Sequence, residues 1–173
     1  PQRKRADDRV DLGAVIAQSI ELTETRLEAD AVALDWQPPA APVLVRGGEV
    51  RLTQVFVNLI TNAADAMVGQ GDKRIEIRLV IPEDGPPRVT VADRGPGIAD
   101  PDRIFEPFYT TKQVGQGDGM GLGLSISYGL VQSFGGQIRG ENAPGGGACF
   151  TVTLEPWRDM PDATRAQDKD DTP

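Results

Sequence analysis

The sequence predicts an α/β fold, a two-layer sandwich in which three helices cover one face of a mixed sheet. Three observations carry that expectation. Helical periodicity marks three segments, and about six short runs show the apolar or alternating pattern of strands. Two pairs of those runs are closed by Gly/Pro turns, giving hairpins where a doubly wound fold would alternate strand and helix. At 173 residues the chain can bury one core of its own.

Residues 2–9 are mostly charged and read as the trailing end of an upstream element, so the domain is expected over 10–156. The first helix runs from about Leu12 to Glu28, with Asp11 as N-cap and Leu12, Val15, Ile16, Ile20, Leu22 and Leu27 as its core stripe. Val32, Leu34 and Trp36 alternate as a strand does, up to Pro38-Pro39. Val43 to Val45 is a second short strand. Gly47-Gly48 opens the second helix, about Glu49 to Val68, and Gly69 and Gly71 close it. Ile75, Ile77, Leu79 and Ile81 form a half-buried strand, paired back through Gly85-Pro86-Pro87 with Val89 to Ala92.

From Gly95 to Gly121 the chain is too rich in Gly and Pro for regular structure, and a loop of that length reads as a mobile lid. The third helix is expected from Gly121 to Phe134, stopped by Gly135-Gly136. Strands at Gln137 to Asn142 and Ala148 to Leu154 follow, joined by Pro144-Gly145-Gly146-Gly147. Residues 157–173, with Asp159, Asp162, Asp168, Asp170 and Asp171, read as a disordered acidic tail.

Composition excludes several classes. The net charge of −8 argues against nucleic acid as a partner. No apolar run approaches the roughly 20 residues of a membrane helix. One cysteine and no histidine leave no zinc cluster, and Cys149, within an apolar strand pattern, reads as a buried structural thiol. Pro1 in place of an initiator Met reads as a piece of a longer protein.

The chemistry gathers in four stretches. On the largely apolar second helix, Gln54, Asn58, Asn62 and Asp65 follow at steps of four, four and three, and so share one face. Their oxygens are hard ligands suited to Mg²⁺ beside substrate phosphates. A solvated polar stripe explains the same spacing. Asp93 stands just after a strand and before Gly95 and Gly97; its carboxylate could accept a hydrogen bond from an adenine amine, while an Asp-x-Gly turn is the plainer reading. Gly117, Gly119, Gly121 and Gly123 lead into an apolar helix, a pattern for anion binding by free N–H groups that also suits a linker. Neither the P-loop nor the Rossmann spacing is met. Between them, Phe105 and Phe108 could anchor the lid by packing, and Thr110, Thr111 and Lys112 could reach phosphates.

Read together and in order, these blocks resemble the catalytic ATP-binding domain of two-component sensor histidine kinases, a resemblance covering Arg9 to Leu154. Asn58-Leu-Ile-Thr-Asn62 looks like the N box, Asp93-Arg-Gly95-Pro-Gly97 the G1 box, Phe105 to Phe108 the F box and Gly119-Met-Gly121-Leu-Gly123-Leu the G2 box. Phe-Tyr-Thr-Thr-Lys and Met-Gly-Leu-Gly-Leu-Ser-Ile-Ser look most like the nitrogen-regulatory and C4-dicarboxylate sensors. The resemblance implies the Bergerat-type sandwich shared with type II topoisomerases and Hsp90. It implies ATP and Mg²⁺ as cofactors, Asn58 and Asn62 as catalytic residues, and Asn62 as the metal ligand with Asn58 a second candidate. The ATP-binding set it implies is Asn58, Asn62, Asp65, Asp93, Gly95, Gly97, Ile98, Phe108, Thr110, Thr111, Lys112, Gly119, Met120, Gly121, Leu122, Gly123 and Leu124. Met120 departs from the Thr or Ser of many members.

The relatives that hydrolyse ATP carry Glu where Asn58 stands, and an amide lacks the basicity to activate water. The implied activity is therefore transfer of the γ-phosphoryl group to a histidine on a separate dimerisation domain, for relay to a response-regulator aspartate. Since the family dimerises through helices outside these four blocks, this chain is expected to be monomeric and cytoplasmic, and the parent a homodimer, an inner-membrane sensor being one form. A nucleotide-sensing module without kinase activity, or a serine kinase or ATPase of the same superfamily, are the alternatives.

Overall fold

Alternating apolar residues build the sheet, and helices with one apolar side close over it. In the computed structural model, which describes residues 8–109 and 123–158, the order is β1 (Asp8–Asp11), α1 (Leu12–Ala29), β2 (Ala33–Trp36), β3 (Leu44–Gly47), α2 (Glu49–Ala66), β4 (Arg74–Val80), β5 (Arg88–Ala92), α3 (Gly123–Ser133), β6 (Gln137–Asn142) and β7 (Ala148–Thr153). Five strands form one mixed sheet in the order β2-β4-β5-β7-β6. Only β2 and β4 run parallel; the other three pairings are antiparallel.

Register decides which residues enter the core. Ile77 lies opposite Val91, Val91 opposite Phe150, and Ile138 opposite Val152, so one face of four strands carries apolar side chains. These residues are buried, and the helices pack on that face. Leu52, Val55, Phe56, Leu59 and Ile60 of α2 sit at its centre, each at most 1% exposed. The alternate residues, such as Arg139 and Glu141, point to the open face. The fold class read from the sequence is the one observed.

The differences are local. Asp8 and Arg9, read as the end of an upstream segment, belong to β1, which pairs antiparallel with β3. At the other end Pro156 bridges Val45, and the Trp157 N–H donates to the Leu44 carbonyl at 3.0 Å, one residue past the expected domain end. Asp11 does occupy the N-cap of α1, but its side chain makes no capping bond and its Oδ1 is buried without a partner. Leu22, expected in the stripe of α1, is 63% exposed. The buried positions are Leu12, Gly13, Val15, Ile16, Ser19, Thr23 and Leu27, with Ser19 and Thr23 continuing the four-residue steps from Val15 to Leu27. Ser19 and Thr23 are small, and their hydroxyls donate back to the carbonyls of Val15 (2.8 Å) and Ser19 (3.0 Å), so α2 can approach closely with no polar group left over. Cys149 points to the open face and is half-buried, not enclosed; burial still raises its thiol pKa.

Candidate nucleotide site

The site grows from the end of β5. Asp93 follows the last residue of that strand and is 5% exposed. Its Oδ1 accepts the N–H groups of Gly95 (2.9 Å) and Ala148 (3.2 Å), fixing the carboxylate between its own loop and the start of β7. Both donors use the same oxygen, which leaves Oδ2 to accept from a ligand amine. Burial pushes the Asp93 carboxyl above its ordinary 3.8, and the two N–H groups oppose that shift. The Asp93 N–H in turn donates to the Ala148 carbonyl at 2.9 Å.

Two glycines are dictated by this crowding. Gly147 has φ +81°, and a side chain there would collide with the Asp93 carbonyl. Gly97 has φ +88°, and a Cβ would come within 2.5 Å of Asn142 Oδ1. Asn142, the last residue of β6, holds the next residue: Ile98 N–H donates to its Oδ1 at 2.6 Å, and its Nδ2 donates to the Ile98 carbonyl at 3.1 Å. The sequence reading missed Asn142. It entered that reading only as the last residue of a strand.

The loop after β5 also crosses the last turn of α2. The Arg94 N–H meets the Met67 sulfur at 3.4 Å, and a Cβ on Gly95 would lie 2.8 Å from the Ala66 carbonyl. One turn back on that helix is Asn62, half-buried. Asn58, another turn back, donates from Nδ2 to the Ser127 hydroxyl at 3.1 Å. Ser127 lies early in α3, and a side chain at Gly123, the first residue of α3, would strike Asn58. The N-terminal end of α3 therefore stands beside Asn58, and the positive end of its helix dipole favours an anion there. Asp65 on the same face is engaged by Arg26 of α1, which also binds Asp30 at 2.6 Å; these partners raise the Arg26 pKa. Gln54 is exposed.

Within residues 101–109, Phe105 packs against α3 and β7. Ile104 is buried, and the Phe105 ring lies 5.3 Å from that of Tyr128 and 6.5 Å, edge-on, from that of Phe150. Phe108 differs from the expected anchor: it is 68% exposed with φ +66°, so Phe105 alone of the pair packs. Leu124 leans on the core from α3. The expected phosphate-binding residues Thr110, Thr111, Lys112, Gly119, Met120, Gly121 and Leu122, most of the lid and the acidic tail lie outside the described residues.

Asn58 and Asn62 lie one turn apart on α2, with Asn58 Oδ1 toward Gly123 of α3, and no cluster of three or more His, Cys, Asp or Glu among the described residues could hold a metal alone. That donor set fits Mg²⁺, which takes one or two protein oxygens and completes its shell from phosphates and water.

Comparison with known proteins agrees with this geometry. Residues 47–158 match the family described as histidine kinase-, DNA gyrase B-, and HSP90-like ATPase. The C4-dicarboxylate transport sensor protein DctB of Rhizobium meliloti is 41% identical over 128 residues, covering 73% of this chain but only 19% of its own length. The sensor histidine kinase ZraS of Klebsiella oxytoca is 36% identical over 147 residues, covering 84% of this chain and 30% of its own length. The chain thus spans less than a third of these relatives. Among solved structures, the catalytic domain of histidine kinase ThkA aligns with a TM-score of 0.71 at 28% identity, covering 87% of this chain and 95% of that one. With α2 carrying two asparagines, a buried aspartate closing β5 and α3 starting against them, the chain belongs to the histidine kinase-, DNA gyrase B- and HSP90-like ATPase family, and its relatives there are sensor histidine kinases.

Proposed function

We propose that this chain is the catalytic, ATP-binding part of a sensor histidine kinase. It binds ATP with Mg²⁺ and presents the γ-phosphoryl group to a histidine of the parent's dimerisation domain, from which a response-regulator aspartate is charged. The observation that carries the reading is the pairing of a carboxamide, Asn58, with the N-terminal end of α3, opposite a base pocket built on Asp93. An amide orients and donates; it does not take a proton from water. Transfer to an imidazole needs positioning and charge neutralisation more than a base. The chain has no histidine, so the acceptor lies on another segment or chain.

Within this reading Asp93 Oδ2 accepts the adenine amine while Gly95, Gly97 and Ile98 shape the pocket. Asn62 holds Mg²⁺, which supplies neutralisation of phosphate charge when bound. Lys112, Thr110, Thr111 and the backbone around Gly119 to Gly123 hold the phosphates. This chain alone would be monomeric, and the parent a homodimeric sensor whose kinase part works in the cytoplasm. No helix among the described residues is long and apolar enough to cross a membrane.

The test is calorimetric titration with ATP, ADP and GTP, with and without Mg²⁺, followed by incubation of the ATP·Mg²⁺ complex with a histidine-bearing dimerisation domain. Adenine-selective binding and acid-labile phosphate on the added domain are expected. Steady ATP hydrolysis by this chain alone would turn the reading toward an ATPase. Binding with no transfer would turn it toward a nucleotide sensor.

A further inference from the structure

We infer that Asn142 is a positioning residue for the nucleotide base: it holds the pocket loop in its binding shape before the nucleotide arrives. The inference rests on the nucleotide-site reading above and adds a residue to it.

Past Gly95, the loop that leaves β5 at Asp93 belongs to no helix or strand. Its backbone passes through a left-handed turn at Gly97, φ +88°. Ile98 follows half-exposed and outside any strand, where water could satisfy its backbone as well as protein does. Yet both polar groups of Ile98 are taken by one side chain, with the N–H on Asn142 Oδ1 at 2.6 Å and the carbonyl on Nδ2 at 3.1 Å. A primary carboxamide is suited to this, since it carries a donor and an acceptor side by side. Asp would keep only the acceptor, and Ala neither.

Asn142 is itself fixed. It pairs with Ala148 at the end of the β6–β7 ladder, and the hairpin is closed by the Ala143 N–H on the Gly147 carbonyl at 2.9 Å. Ala148 is the residue whose N–H holds Asp93 Oδ1 and whose carbonyl takes the Asp93 N–H. One rung of this hairpin therefore holds the loop at two points, Asp93 through Ala148 and Ile98 through Asn142. Gly97, between them, lies under the Asn142 oxygen. A loop held at both ends does not have to be ordered by its ligand, and that ordering otherwise weakens binding.

The test compares Asn142→Ala and Asn142→Asp with the unaltered chain, measuring ATP, ADP and GTP affinity by calorimetry and backbone amide exchange at Ile98 without nucleotide. In Asn142→Ala the Ile98 amide should lose its protection. ATP and ADP should both bind roughly tenfold more weakly, as expected for losing about two neutral hydrogen bonds that pre-form the site. Discrimination of ATP over GTP should narrow by the same factor, which a loss of general stability would not produce. Asn142→Asp, which keeps the acceptor for Ile98 N–H, should fall between and provides the reading if the alanine variant does not fold. Unchanged ADP affinity in either folded variant, alongside lost affinity in Asp93→Asn, overturns the inference and leaves the site reading intact. Absence of adenine-nucleotide binding by the unaltered folded chain overturns both.

Discussion

Asp93 is the residue on which the site's chemistry turns, because it is both buried and only half used. Replacing it with Asn puts an N–H₂ where the adenine amine also donates. Loss of a hydrogen bond to a charged group costs roughly 1.5–3 kcal/mol, so calorimetry on Asp93→Asn should record an ATP affinity about 10- to 100-fold lower with the fold retained. Its raised pKa has two consequences of opposite sign. The folded state favours the protonated carboxyl, so this group's contribution to stability is full below the ordinary 3.8 and is lost as pH climbs through the raised value. Urea unfolding over a pH series should show the unaltered chain losing ground to Asp93→Asn as pH rises through that window. Nucleotide affinity should instead fall as pH drops through it, since a protonated carboxyl no longer accepts at both oxygens. Asn62→Ala makes a separate test: the gain in ATP affinity produced by Mg²⁺ should shrink while Mg²⁺-free binding stays, as titration with and without the cation would show. The placement of Asp93 at a strand end and of Asn58 and Asn62 on one helix face was legible, because each follows from a local pattern. Asn142 and Ser127 were not, since their partners are 44 and 69 residues away along the chain and only the folded hairpin and helix pair bring them together.

At the level of elements, apolar periodicity located the helices and strands well and misjudged one helix face. α1 read as a leucine-rich stripe that included Leu22, yet two hydroxyl residues occupy the contact with α2. Hydrophobicity alone does not reveal this, because a Ser or Thr that bonds its own helix backbone is as easily buried as an alanine. The sizes separate the two positions. Leu22→Ala should change the free energy of urea unfolding by less than about 0.5 kcal/mol. Ile16→Ala, from a side chain 0% exposed, should cost about 2–5 kcal/mol. β1 escaped notice for a different reason. Its sequence, Asp-Arg-Val-Asp, carries a single buried residue, Val10, and its pairing with β3 is set by a strand more than 30 residues later.

For the whole molecule, the sandwich was legible because three helices and two hairpins leave few other ways to bury one face of a sheet. The core lies between that sheet and the helices, while the proposed nucleotide site lies where β5, α2, α3 and the β6–β7 hairpin meet. A ligand there should stabilise the molecule as a unit. Adding ATP·Mg²⁺ at about 100 times its Kd should raise unfolding stability by about 2.7 kcal/mol, read as a higher urea midpoint, with GTP producing much less.

β3 has neighbours on both sides: Arg46 lies opposite Arg9 of β1, and its N–H donates to the Glu155 carbonyl at 2.9 Å. The first and last described stretches therefore flank one strand, about two strand spacings or ~10 Å apart. Geometry of that kind makes chain order dispensable. A permuted version of residues 8–158, rejoined through a short Gly/Ser bridge and opened within the exposed 83–86 turn, would keep every strand pairing described here. It should fold with a circular dichroism spectrum like that of the parent and bind ADP with similar affinity, whereas opening the chain within the Pro144–Gly147 turn should abolish that binding, because it releases the rung that holds Asp93 and Ile98.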